Sequence, residues 1–316
     1  MLSILIPTYN YDITHLTKEL HRQAMEQMIE FEIIVMEDGS TKEVETNHSI
    51  SELVNCRHIV LKENIGRSAI RNKLANEAKY EHLLFMDCDA EVCSEQFIER
   101  YLAFCHEECV VIGGTAYDPD ESNPNFSLRL KYGRKREART AVDRETLEHK
   151  NKIDNQFSSL RGERQGVRSN FATFNFLIAK TIFNRVRFDE SIRGYGHEDM
   201  LFGHQLHQLG FEFIQIENPL IHKGLDSNET FIKKTEEATR NLFLLYKTGK
   251  YPFLAQESKL LSTFLKFKKW NFVGLFALKF DFTKYLLSKQ LCSKNPSLFL
   301  YDWYKILFLC KTSYIK

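Results

Sequence analysis

The feature that most constrains this chain is an alternation, over roughly its first 115 residues, of short apolar runs with stretches of helical spacing. "SILIP", "FEIIVME", "RHIVL", "HLLFMD" and "CVVIGG" read as strands, while Thr14 to Ile29, Ile65 to Lys79 and Ser94 to His106 carry apolar residues at helical intervals. Such alternation predicts an α/β fold, a mostly parallel sheet flanked by helices. Sheets of this kind bind ligands outside the carboxyl ends of their strands. The clusters "PTYN", "EDGST" and "DCDAE" each follow a run directly and so should line one edge of one crevice.

The last cluster poses a problem of charge. Alternation along a strand points Asp87 and Asp89 to the same side. Two such carboxylates repel unless a cation or hydrogen-bond donors lie between them. The competing reading is an acidic pair that caps the next helix or faces water.

At 316 residues and 43% hydrophobic content the chain can bury a substantial core, as one large domain with an appendage or as two domains. A net charge of +1 gives no reason to expect nucleic acid as the main partner. That balance hides an asymmetry: residues 256 to 316 hold 11 lysines against three acids, so the body is acidic and the tail basic. The seven cysteines form no CxxC pair and no zinc-site spacing, and reduced thiols in a cytoplasmic protein are expected. The start "MLSILIPTYN" lacks the basic region and apolar length of a signal peptide, and no run approaches the roughly 20 apolar residues needed to cross a bilayer.

"SILIPTYN", "IIVMEDGST", "ENIGRSAIRN" and "LLFMDCDAE", followed by "FDESIRGYGHEDMLFGHQLHQLGF", together resemble the ordered signature of inverting family 2 glycosyltransferases. The resemblance covers roughly residues 1 to 225 and implies a GT-A (Rossmann-like) domain, with residues 1–115 as the nucleotide-sugar half and 116–225 as the acceptor half. Residues 226–316 would then be a helical, basic and aromatic extension.

The resemblance implies a role for each motif. Pro7 and Tyr9 would lie against a uracil face, with Asp38 accepting from the ring N–H; the local alternative for "EDGST" is a turn with Gly39 left-handed and Ser40 or Thr41 capping a helix. Arg67 and Arg71, four residues apart at a helix start, suit a diphosphate, unless they pair with Glu63 or Glu77. "DCD" matches the DxD motif, in which Asp89 would ligate Mn2+ or Mg2+ and Asp87 would contact the ribose or a metal-bound water. Cys88 would point into the core. His222, in "IENPLIHKGL", is the candidate for a further metal ligand. Glu198 and Asp199 open a helix whose dipole favours ionised carboxylates. The resemblance makes Asp199 the general base and Glu198 an acceptor-binding or loop-orienting residue. "FATFNF" departs from the family's Gly-Gly-Asn form, which puts acceptor contacts such as Asn175 in doubt.

The implied reaction moves a sugar from a nucleotide-sugar donor, UDP-linked, to a hydroxyl of a glycan or lipid-linked acceptor. A sugar nucleotidyltransferase should carry an early Gly-rich phosphate loop, which "IPTYNYDITH" is not; a silent sugar-nucleotide or glycan-binding protein should lack Asp89 or Asp199, and both are present. Residues 117–169 read as a solvated charged face, or as a loop over the acceptor site in which Arg129, Arg134, Arg136 or Arg168 meets an acceptor phosphate. The tail reads either as helices packed on the body or as a peripheral membrane contact at the inner face of the cell membrane.

Overall fold

The computed structural model describes residues 1–138, 171–192 and 194–314. Arg168 and "RGERQGVRSN" lie outside them.

The chain divides into two compact units. The first comprises Met1–Pro119, Glu137–Arg193 and Glu198–Gly224. Its strands are β1 (Leu2–Thr8), β2 (Phe31–Glu37), β3 (Cys56–Val60), β4 (His82–Met86), β5 (Ala90–Val92), β6 (Val110–Ile112), β7 (Thr115–Ala116), β8 (Asn175–Ala179), β9 (Phe213–Gln215) and β10 (Leu220–His222). Seven of them form a sheet in the order β3-β2-β1-β4-β8-β6-β9; β5, β10 and β7 form a second, small sheet. In the large sheet β8 runs antiparallel to both neighbours, β4 and β6, and every other pair is parallel.

The apolar runs are continuous because both faces of the sheet are covered. Ile4 and Ile6 of β1, Ile33 and Val35 of β2, and Leu84 and Met86 of β4 enter one core cluster. Their alternates Leu5, Ile34, Met36, Leu83 and Phe85 enter the cluster on the other face. The three helices expected in this region form, but shorter, over Thr14–Glu26, Arg67–Glu77 and Phe97–Leu102.

The second unit comprises Asp120–Arg136, Gly194–His197 and Leu225–Lys316. Its helices run over Ser127–Arg136, Asn228–Thr248, Lys259–Lys269, Val273–Leu291 and Leu298–Tyr314. All but the Lys259–Lys269 helix contribute to a core of Leu128, Phe231, Ile232, Phe280, Leu291, Tyr301, Tyr304, Leu307 and Phe308. The Gly194–His197 turn is pinned to the long helix: Tyr195 N–H donates to Glu237 Oε1 at 2.9 Å, and the His197 ring meets the Ala238 carbonyl at 2.8 Å. Arg129 and Arg134 belong to this unit, as does Arg136, which is paired with Asp302 at 2.7 Å.

Candidate active site

Parallel pairing of β2-β1-β4 carries three of the polar clusters to one edge of the large sheet. Thr8 of β1 stands in register with Glu37 of β2, and the Asp38 N–H donates to the Thr8 carbonyl at 2.8 Å. Tyr9 is 53% exposed at this edge, and Pro7 is half-buried. Asn10 ties the first two clusters: its N–H donates to Ser40 Oγ at 2.9 Å, and its Oδ1 accepts from the Thr41 N–H at 2.7 Å.

Asp38 is buried and accepts the Ile65 N–H (2.7 Å) and the Gly66 N–H (3.1 Å), one on each carboxylate oxygen. Burial pushes its carboxyl up and these two bonds pull it down, with the rise prevailing. It therefore shapes the loop that delivers the Arg67–Glu77 helix. Gly39 is left-handed, φ +68°, as the turn requires, and Ser40 donates to Glu37 rather than capping a helix. A Cβ on Gly39 would sit 2.5 Å from Asn64 N and Glu63 C. Gly39→Ala should accordingly destabilise the protein by about 1–3 kcal/mol, combining an αL penalty with a backbone clash. Thermal denaturation checks this, and an unchanged Tm would show that the loop yields without cost.

The two aspartates of "DCD" do not follow strand alternation. β4 ends at Met86, and Cys88-Asp89 form a turn before β5, with Cys88 packed against the core. Each carboxylate has its own partner. Asp87 Oδ1 accepts from Arg71, a buried side chain, at 2.7 Å, where the alternative to a diphosphate role had paired Arg71 with Glu63 or Glu77. Asp89 Oδ2 lies 3.0 Å from His222 Nε2. The small sheet accounts for this second contact, since antiparallel pairing sets His222 opposite Ala90, and the Lys223 N–H donates to the Asp89 carbonyl at 2.8 Å. Burial pushes the Asp89 carboxyl up, but the His222 hydrogen bond and charge, with the charge of Arg67, hold it below the ordinary carboxylate range.

Behind His222 stand residues that sequence reasoning missed. Its Nδ1 is 3.4 Å from the Tyr117 hydroxyl, which in turn donates to Glu137, and its ring packs near Phe174. No local signal marks Tyr117, which reaches the site only because β7 pairs with β10. A carboxylate oxygen and an imidazole nitrogen with an ordered outer partner form a donor set that fits a divalent cation. Gly224 is part of the fit, because a Cβ there would stand 2.4 Å from Asp89 Oδ2. Among the described residues no three His, Cys, Asp or Glu side chains could hold a metal together.

Glu198 and Asp199 open the helix Glu198–Gln208. Glu198 is buried; its Oε1 lies 3.8 Å from Arg67, and among the described residues its Oε2 has no hydrogen-bond partner. The dipole at this helix start favours ionised acids, and at Asp199 burial opposes it. Burial, then the charge of Glu198, push its carboxyl up to about 7, against the opposing pull of the Met200 N–H and Arg71. One buried arginine thus bonds Asp87 and acts electrostatically on Asp199. Asn175 has a structural task instead: it is buried, accepts from the Tyr101 hydroxyl at 2.6 Å and donates to the Asn218 carbonyl at 2.8 Å.

A mostly parallel sheet flanked by helices carries an acidic turn after its fourth strand and an acidic pair at a later helix start, and its fold is that of the GT-A transferases. Residues 3–180, more than half of the chain, match the family described as Glycosyl transferase family 2, and the chain belongs to that family of enzymes. It is 24% identical over 308 residues to a chondroitin synthase of Escherichia coli, with 90% of this chain and 43% of that protein covered. It is 27% identical over 245 residues to a hyaluronan synthase of Pasteurella multocida, with 71% and 24% covered. The chain thus spans less than half the length of either relative. Among solved structures it resembles the mannosyltransferase PcManGT of Pyrobaculum calidifontis in complex with GDP-Man and Mn2+ (TM-score 0.56, 13% identity, 99% of this chain and 85% of that one). It also resembles S. aureus TarS 1-349 in complex with UDP (TM-score 0.52, 17% identity, 99% and 90%).

Proposed function

We propose that this family 2 enzyme transfers a sugar from a UDP-linked donor to a hydroxyl of a glycan or lipid-linked acceptor by single displacement with inversion. The observation that carries the reading is the position of Arg71, bonded to Asp87 at the DxD turn and acting on Asp199 at the acidic helix start. A diphosphate cradle and a proton acceptor are thereby served by one buried cation.

Tyr9 offers an exposed ring, and Pro7 an apolar edge, on which a base can stack. Asp38 retains lone pairs for a ring N–H beyond its two backbone bonds. Arg67 and Arg71 suit the diphosphate, Arg71 through the N–H groups not engaged by Asp87. Asp89 and His222 would hold Mn2+ or Mg2+, which when bound neutralises charge on the departing nucleoside diphosphate. Asp199, with a carboxyl near pH 7, is matched to taking the proton of the acceptor hydroxyl as it attacks the anomeric carbon. Glu198 would bind the acceptor or orient the loop before its helix.

The named relatives make chondroitin and hyaluronan, and the TarS and PcManGT structures hold UDP and GDP-Man, which supports a nucleotide-sugar donor. Donor hydrolysis screened across UDP-, GDP- and dTDP-sugars with Mn2+ tests the choice. Turnover of UDP-sugars above the other two classes is expected. Preference for a GDP- or dTDP-sugar would overturn the assignment of the base pocket.

A further inference from the structure

The helix Val273–Leu291 is apolar on two opposite faces. Ala277, Phe280 and Leu291 are buried on one side, where Phe280 and Leu291 enter the core of the second unit. On the other side Leu275, Leu278, Phe282, Tyr285 and Leu286 follow one another at helical spacing and are 57–76% exposed. A helix that is apolar all round is ordinarily covered all round. Trp270, 58% exposed, extends the stripe at the preceding corner.

Charge selects what covers it. Lys279 and Lys289 are exposed on this helix, and Lys266, Lys268 and Lys269 are exposed in the last turn of the helix before it. Asp281, the one acid on this helix, is paired with Lys311. A second copy of this surface would bring like charges together. An anionic lipid surface answers both features, because apolar and aromatic side chains enter the headgroup–acyl boundary while lysines meet phosphate. No helix among the described residues is long and apolar enough to cross a membrane.

We propose that the Leu275–Leu286 face of the Val273–Leu291 helix docks on an anionic membrane surface, with the flanking lysines against the headgroups. The surface stands on these side chains alone, whatever donor the enzyme takes. In a flotation assay the full chain should bind vesicles containing phosphatidylglycerol, bind phosphatidylcholine vesicles far less, and release as salt rises. The double variant Leu278→Glu/Phe282→Glu should lose at least about tenfold in vesicle affinity, because it places charge at the boundary. Its Tm should stay unchanged, since both side chains face outward. Wild-type protein that stays off anionic vesicles at low salt would overturn the proposal. So would a double variant that floats as well as wild type. A wild-type dimer that the variant dissolves, without vesicle binding, would overturn it in favour of self-association; light scattering on the same samples reads that outcome.

Discussion

Asp199→Asn is expected to lower sugar transfer by a factor of about 10² or more, the cost of removing a general base, while donor binding survives. The wild-type rate should rise with pH through about 7, because the carboxyl must be ionised to accept a proton and its burial beside Glu198 raises it to that range. The same shift has a stability consequence of fixed sign. The unfolded carboxyl titrates near 3.8 and the folded one near 7, so stability falls as pH rises between those values. Asparagine cannot ionise. Above pH 7 the variant should therefore be more stable than wild type, by about 1–3 kcal/mol once partial exposure is allowed for, with the gain vanishing at acid pH. Glu198→Gln should instead act mainly on the acceptor's apparent affinity. An Asp199→Asn enzyme with wild-type rate, or a wild-type profile flat through pH 7, would assign the base elsewhere.

Much of this architecture could be read from the sequence because β1, β2 and β4 are buried on both faces, which makes their apolar runs continuous and puts polar residues abruptly at their ends. What escaped depends on distant pairing. β8 enters between β4 and β6 from far along the chain, and no local pattern announces that insertion. Its first residue, Asn175, becomes a buried link between Tyr101 and Asn218. The partner of Arg71 was likewise illegible, since Asp87 lies 16 residues away on a different element, whereas Glu63 and Glu77 are neighbours in sequence. His222 could be named from its place after an apolar run near Pro219, but its approach to Asp89 comes from the three-residue pairing of β10 with β5. In the tail the composition mixed two kinds of aromatic residue. Tyr301 and Tyr304 are core, whereas Phe282 and Tyr285 face outward, and only the packed helices separate them.

The second large effect concerns Asp89. Its replacement by asparagine removes the charge that would balance a cation while keeping the shape of the turn, and the bond from Lys223 N–H to the residue 89 carbonyl is untouched. Metal-dependent affinity for the nucleotide should fall by at least the roughly tenfold to hundredfold that even loss of an outer-shell partner costs. Calorimetric titration of UDP into wild type and Asp89→Asn, each with and without Mn2+, tests the whole site at once. The predicted result is wild-type binding that tightens strongly with Mn2+ and variant binding that is weak and indifferent to it, at unchanged Tm. Mn2+-dependent UDP affinity undiminished in Asp89→Asn would contradict the account.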